Sequence, residues 1–361
     1  MNILFISPDF NYACGVSKHV YILIKRLCNN PQYKIFFITN SGDSLDRLTA
    51  INNLKFSRMN FKKDHSNPFL LIKNLVSLFL FCRRNKIELI HTHHRYPELI
   101  SVLAAKLLRI KTITTVHSFV AGMNNISFRS DKIIAVSRSI EDHLIKNFPH
   151  SRNKIVTLYN CIDESFYSDV EYHPDDLRRS LKYDSSDKII LFAGRISRIK
   201  GSDVLIKAFN KIDKSLNAKL ILIGTITDND LDVELRNNES IKILSPQRDL
   251  RHYFKIADVV VLPSIEDPFP YVMIEAGAMK KVFIGSRTGG IGEFIDDNVN
   301  GILVTPGSSD DLSSKLENVL KNLPSISKMG EELFQKVKSS CDCEKYFSEL
   351  SGIYNTLIKE G

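Results

Sequence analysis

Two cations and two carboxylates, each placed at the end of an apolar run, are the residues of this chain best suited to chemistry. In FAGRISRIKG (192–201) an apolar run ends at Gly194 and is followed by Arg195, a turn, Lys200 and Gly201, with Ser202 and Asp203 as caps for a helix beyond. Five residues apart at a strand-to-helix junction, Arg195 and Lys200 can converge on one diphosphate, and exposed helix N–H groups add to the same field. Held there, they would stabilise the charge that develops on a departing nucleoside diphosphate. The flanking glycines argue against a merely solvated basic turn.

The second segment is PSIEDPFPYVMIEAGA (263–278), where Asp267 and Glu275 are separated by a loop and the apolar YVMI. A loop-to-helix transition here would point the amides of Tyr271, Val272 and Met273 at a phosphate or a sugar hydroxyl. Glu275, one or two turns into that helix, could accept hydrogen bonds from both hydroxyls of a ribose. The plainer alternative makes Asp267 a helix N-cap and Glu275 a satisfied helix residue. His91, His93 and His94 invite a metal reading, since His91 and His93 share a strand face. No third ligand stands at suitable spacing, so no metal is expected.

These residues need elements to position them. Short Val/Ile/Leu-rich runs recur at 2–7, 34–39, 88–91, 111–116, 132–137 and 154–159, and again at 188–194, 218–224, 240–245, 258–263, 281–286 and 300–304. Unalternating apolar runs are what strands buried on both faces look like. Helix-length segments separate them, such as VSKHVYILIKRL (16–27) and SDVLIKAFNKI (202–212). The alternation predicts an α/β protein with two doubly wound parallel-sheet domains and a ligand cleft at the carboxyl ends of the strands. The pattern pauses over the polar stretch 160–185, which reads as an interdomain linker. The expected domains are 1–165 and 166–345, with a helix over 346–361 packing back toward the first. PFLLIKNLVSLFLFCRRNK (68–86) is apolar almost all round, apart from Lys73, Asn74 and Ser77. It is too short to span a bilayer, and reads either as a buried helix or as a membrane-contacting one.

Charge separates the halves. Residues 1–165 hold 23 Lys+Arg against 11 Asp+Glu, and the remainder 26 against 30. A basic first half suggests an anionic partner, and with no nucleic-acid motif present a membrane surface leads. Six scattered cysteines form no redox or zinc pattern and read as reduced cytoplasmic thiols. MNILFISPDF reads as a first strand, not a signal peptide.

Together, FAGRISRIKG and PSIEDPFPYVMIEA resemble the donor site of family 4 of the retaining glycosyltransferases, which have the GT-B fold. Supporting segments run from about residue 2 to 355: ACGVSKHV, ELIHTHHR, ITTVHSF, IIAVSRSI, IVTLYNCIDESF, IADVVVLPS and TGGIGEFIDDNVNGILV. The resemblance implies that Arg195 and Lys200, after Gly194, bind the donor diphosphate, that Glu275 holds the ribose, and that the Tyr271 and Val272 amides face the phosphates. It further implies that Asp267 contacts the transferred sugar, that His117 sits beside the anomeric centre, and that Gly15 lets the backbone approach the donor phosphates or the acceptor. No metal or other cofactor is implied. The implied donor is a nucleoside diphosphate sugar, UDP ahead of GDP. The implied acceptor is a glycan or a lipid-linked glycan of a bacterial surface polysaccharide (capsule or lipopolysaccharide), met in the cytoplasm or at the inner face of its membrane.

The sequence departs from the family where Asp267 replaces the usual Glu, where Pro268 and Pro270 remove amide donors, and where Cys161 replaces a turn glycine. A nicotinamide-dependent oxidoreductase would need a G-x-G-x-x-G after the first strand, and FISPDFNYACG lacks it. A GT-B epimerase of nucleotide sugars and a non-catalytic sugar-nucleotide-binding protein remain as alternatives.

Overall fold

The computed structural model describes residues 1–61, 68–168, 174–228 and 238–359. The chain divides into two compact units, Met1–Asn160 with Glu344–Gly361, and Cys161–Cys343. The first boundary thus lies at Asn160 rather than 165, because the N–H of Ile162 already donates to Cys341 O at 3.0 Å within unit two. The second lies at Cys343 rather than 345.

Unit one contains β1 (Asn2–Ile6), β2 (Lys34–Thr39), β3 (Lys55–Arg58), β4 (Leu89–Thr92), β5 (Lys111–Val116), β6 (Lys132–Ala135) and β7 (Ile155–Thr157), in the order β3-β2-β1-β4-β5-β6-β7. Unit two contains β8 (Lys188–Ala193), β9 (Ala218–Ile223), β10 (Ile241–Leu244), β11 (Val259–Leu262), β12 (Val282–Ser286) and β13 (Ile302–Val304), in the order β10-β9-β8-β11-β12-β13. Every ladder is parallel; Ile3 lies between Ile35 and Leu89, and Ile190 between Leu220 and Val259. Twelve of these strands coincide with the apolar runs of the sequence. β3 is the exception: KFSR carries no apolar run, and it forms a short sheet edge with a charge at each end.

Both sheets are doubly wound. The direction of strand addition reverses between β1 and β4 in one unit and between β8 and β11 in the other, so the loops leaving those strands diverge and open a crevice at their carboxyl ends. The loops that carry Gly15, His93, Gly194–Gly201 and Pro263–Pro270 all leave these four strands.

The stretch expected as a linker is structured where it is described. Helix Pro174–Ser180 buries Leu177, and Arg178 donates to the carbonyls of Asp184, Asp187 and Ile256; residues 169–173 lie outside the described residues. From Glu344 onward the helix Cys343–Lys359 belongs to unit one, and it buries Tyr346, Leu350, Tyr354 and Leu357, a spacing of one helical face.

Helix Pro68–Asn85 buries one face, through Asn74, Leu78 and Cys82. Of the three polar residues that interrupt it, Lys73 is exposed and Asn74 turns inward. Outward stand Phe69 (80% exposed), Ile72, Val76 and Leu80, continued by Leu103 and Leu107 of the helix Arg95–Leu108. Among the described residues no helix is long and apolar enough to cross a membrane.

Candidate active site

β8 delivers Gly194 at its carboxyl end, and the residues that follow fold into a tight basic turn. The carbonyl of Ser197 accepts from the N–H groups of Lys200 (3.1 Å) and Ser202 (3.2 Å), and its own N–H donates to Ser202 Oγ at 3.1 Å. Arg198–Lys200 make one 3-10 turn, which ends at Gly201 with φ 71°. Glycine is required there on two counts: the left-handed backbone, and a Cβ that would stand 1.9 Å from the carbonyl oxygen of Pro263. This close approach joins the basic turn to the loop after β11. A hydrogen bond from the Ile265 N–H to Ile199 O at 2.9 Å joins them a second time.

Lys200 and Asp267 meet across the seam, Nζ donating to Oδ2 at 2.6 Å, and Ser264 Oγ donates to the same oxygen at 3.3 Å. Asp267 is buried and Glu266 exposed, so of the two neighbouring acids Asp267 is the one turned toward Lys200. Asp267 is therefore an ion-pair partner and not an N-cap: the helix Tyr271–Ala278 has Pro270 at that position and no side-chain cap. Gly290 holds the far side of the loop, its N–H donating to Asp267 O at 3.0 Å; a Cβ there would come within 2.0 Å of Pro268 O.

The ammonium of Lys200 keeps two further donor positions beyond the one given to Asp267. Arg195 is exposed, and no side chain among the described residues pairs with it. The first amides of the helix Tyr271–Ala278, those of Tyr271 and Val272, have no carbonyl four residues back within the helix to bond. Glu275, 2% exposed, follows one turn later on the same helix, which is braced by Leu333 and Val337 packed against Gly277. Two cations, a helix N-terminus and a buried carboxylate thus stand along the carboxyl ends of β8 and β11, an arrangement that suits a phosphate-bearing ligand.

Unit one gathers histidines at its own crevice. His91, inside β4, is fully used: Nδ1 bonds Tyr354 Oη at 2.7 Å and Nε2 bonds Thr115 Oγ1 at 2.8 Å. His93 stacks on His91 with ring centroids 4.6 Å apart, as expected for a shared strand face, and its Nδ1 lies 3.1 Å from Nε2 of His117 at the end of β5. His19, from the helix Gly15–Cys28, faces His117 with centroids 4.8 Å apart and reaches Tyr346 Oη at 3.4 Å. Gly15 is the exposed first residue of that helix, whose N-terminus has no side-chain cap. Burial holds His19 neutral, its pKa lowered to about 3. His91, His93 and His117 are pushed well below the usual histidine range by burial first and by neighbouring histidines second, His19 acting on all three.

The fold therefore brings Lys200 together with Asp267, and His117 together with His93. Sequence reading missed His19, Tyr346 and Tyr354. Nothing in VSKHVYILI marks His19 as more than a helix residue, and Tyr354 lies 263 positions from the ring it bonds.

Residues 13–166 match the family described as Glycosyltransferase Family 4, and residues 174–335 match that described as Glycosyl transferases group 1. Over 97% of its length the chain is 27% identical to an uncharacterised glycosyltransferase of Methanocaldococcus jannaschii, of which 99% is covered. It is 29% identical to N-acetyl-alpha-D-glucosaminyl L-malate synthase of Bacillus anthracis, with 77% of each chain covered. The Anabaena protein HepE, solved in complex with UDP and glucose, is 17% identical and superposes with a TM-score of 0.85, covering 98% of this chain and 99% of its own.

Proposed function

We propose that this chain, a glycosyltransferase of the GT-B type whose two halves resemble family 4 and group 1 in turn, transfers a hexose or N-acetylhexosamine from a UDP-sugar to a glycan or lipid-linked acceptor, with retention and with no metal at the diphosphate. The observation that carries this reading is the exposed Arg195, paired with no side chain among the described residues, near Lys200 and the helix at Tyr271, which has no side-chain cap. In this reading the two cations and the Tyr271 and Val272 amides hold the diphosphate, and Glu275 takes the ribose hydroxyls. Asp267, oriented by Lys200, meets a hydroxyl of the sugar, while His117 and the Gly15 helix terminus serve the anomeric centre and the acceptor. The named ligands of HepE support a UDP-linked donor, and the name of the Bacillus anthracis relative supports an N-acetylhexosamine.

The acceptor oxygen attacks the anomeric carbon on the face from which the phosphate leaves. The C1–O bond to phosphate breaks as the new C1–O bond forms, and the acceptor proton passes to the departing phosphate oxygen. The protein supplies position and charge, not a covalent intermediate. Calorimetric titration with UDP, GDP and ADP in the presence of a chelator tests the donor site, with one equivalent of UDP expected to bind. Failure of all three to bind would overturn the reading. Incubating the donor without acceptor separates the epimerase alternative, which would convert the sugar while a transferase leaves it intact.

A lipid-linked acceptor in surface polysaccharide synthesis accords with the outer face of the helix Pro68–Asn85. Phe69, Ile72, Val76 and Leu80 form an exposed apolar row flanked by exposed Lys73, Arg83, Arg84 and, from the next helix, Lys106. An apolar row with basic flanks suits the inner, anionic face of the cytoplasmic membrane. The chain is expected to sediment with phosphatidylglycerol vesicles at low salt, and Leu80→Glu to weaken this at least about tenfold, since a charge replaces an exposed apolar side chain that docking would bury. A chain that stays in the supernatant at low salt would remove membrane contact from the proposal.

A further inference from the structure

The turn that carries Arg195 and Lys200 is held from the side of β9 as well as from that of β11. Beyond the ends of β8 and β9 their ladder runs on. The N–H of Gly194 donates to Ile223 O at 2.9 Å, that of Ile196 donates to Thr225 O at 2.9 Å, and Ile196 O accepts from the Thr227 N–H at 3.1 Å. The two segments lie so close that a Cβ on Gly224 would stand 1.7 Å from Gly194 O. The next amide in this every-second-residue series, that of Arg198, donates to a side chain instead, Oδ2 of Asp228 at 2.7 Å.

Arg198 opens the 3-10 turn Arg198–Lys200, so its N–H is one that a short helix leaves without an internal partner. Ser197, the residue before it, forms no side-chain cap, and its buried Oγ has no hydrogen-bond partner among the described residues. A carboxylate from the neighbouring loop takes the place of that cap. Arg198 stands between Arg195 and Lys200 in the chain, so Asp228 fastens the turn between its two cations. Nothing local in GTITDND marks Asp228, which lies 30 positions from the amide it holds.

We propose that Asp228 is a positioning residue of the donor site, its carboxylate holding the turn in the conformation that sets Arg195 and Lys200 around a diphosphate. It touches no reacting atom and acts through the Arg198 amide. This role rests on the reading above that Arg195 and Lys200 hold the diphosphate. Without the anchor the turn has more conformations open to it, and binding has to restore the competent one, which raises the dissociation constant by the inverse of its population. Glu275, to which the same reading assigns the ribose, lies on another element, so a nucleoside without phosphate is indifferent to the change.

The test is calorimetric titration of the whole chain with UDP, and ligand-observed NMR with uridine, for the wild type and for Asp228→Ala, Asp228→Asn and Asp228→Glu. Asp228→Ala should weaken UDP by about fivefold or more, on the scale of a lost cap, and leave uridine binding unchanged. Asp228→Asn keeps an oxygen for the Arg198 amide and should bind UDP like the wild type. Asp228→Glu keeps the charge but displaces the oxygen by one methylene, and should fall with the alanine variant. An alanine variant that binds UDP like the wild type overturns the role. So does one that loses uridine in proportion, since that reports a general loss of structure. Should Asp228→Ala fail to fold, the other two variants decide, and equal UDP affinities for them overturn the role. A wild-type chain that binds no UDP removes the donor reading and the role of Asp228 with it, so failure of the premise is told apart from failure of the inference.

Discussion

Arg195→Ala is expected to lower UDP affinity and kcat/KM by about 30- to 150-fold while leaving the folded state as stable as before. The magnitude follows from one charge-assisted contact to phosphate, about 2–3 kcal/mol, at tenfold per 1.4 kcal/mol. The selectivity follows from the surroundings: Arg195 is exposed and pairs with no side chain among the described residues, so its removal leaves nothing buried and uncompensated. Lys200 is a poorer probe of the same idea. Its loss would strip the buried Asp267 carboxylate of its cation, mixing a stability cost with a functional one. Calorimetry, initial rates and a urea melt on the same preparation check the claim. An Arg195→Ala protein that turns over within threefold of the wild type would remove Arg195 from the donor site.

The second large effect is acid lability of unit one. His19, His91, His93 and His117 have folded pKa values lowered from 6.5, in each case chiefly by burial. Below pH 6.5 the unfolded chain therefore binds protons that the folded chain refuses, and stability falls as pH falls. It stays constant above 6.5 and, for His19, goes on falling until pH nears 3. Each histidine kept neutral in the fold contributes a limiting slope of about 1.4 kcal/mol per pH unit, so even one of them moves the transition measurably. The urea transition of unit one, followed by circular dichroism, should move to lower urea between pH 6.5 and 5.5. A midpoint that holds steady over this interval would show that the rings titrate freely.

The sheets were legible because a strand in the middle of a parallel sheet is rich in apolar residues, and twelve of the thirteen lie in such a run. β3 was not, because an edge strand needs no such run. The basic turn was legible from Gly194, Arg195, Lys200 and Gly201, whose types and spacing are local. The Lys200–Asp267 ion pair was not, since its partners are 67 residues apart and only the adjacency of β8 and β11 brings them together. The same limit hid the histidine cluster. Periodicity shows that a helix buries a face, but not which buried residue meets a ring from another strand. The polar stretch 160–185 misled for a related reason. Arg178 and its carbonyl acceptors are all polar, and the hydrogen bonds that order this stretch become visible only once the partners are in place.

The Tyr354–His91 hydrogen bond also sets an order of events in the cell. Unit one is begun at the N-terminus, but the tyrosine that takes Nδ1 of His91 is synthesised 263 residues later. At about 5–20 residues per second, the ribosome leaves that fully buried ring without its partner for roughly 10–50 s. During this interval the nascent first sheet lacks the helix that buries Tyr346, Leu350 and Tyr354, and the apolar surface it leaves open is one a chaperone could cover. The half of the protein translated first is therefore completed only after all of unit two has been made.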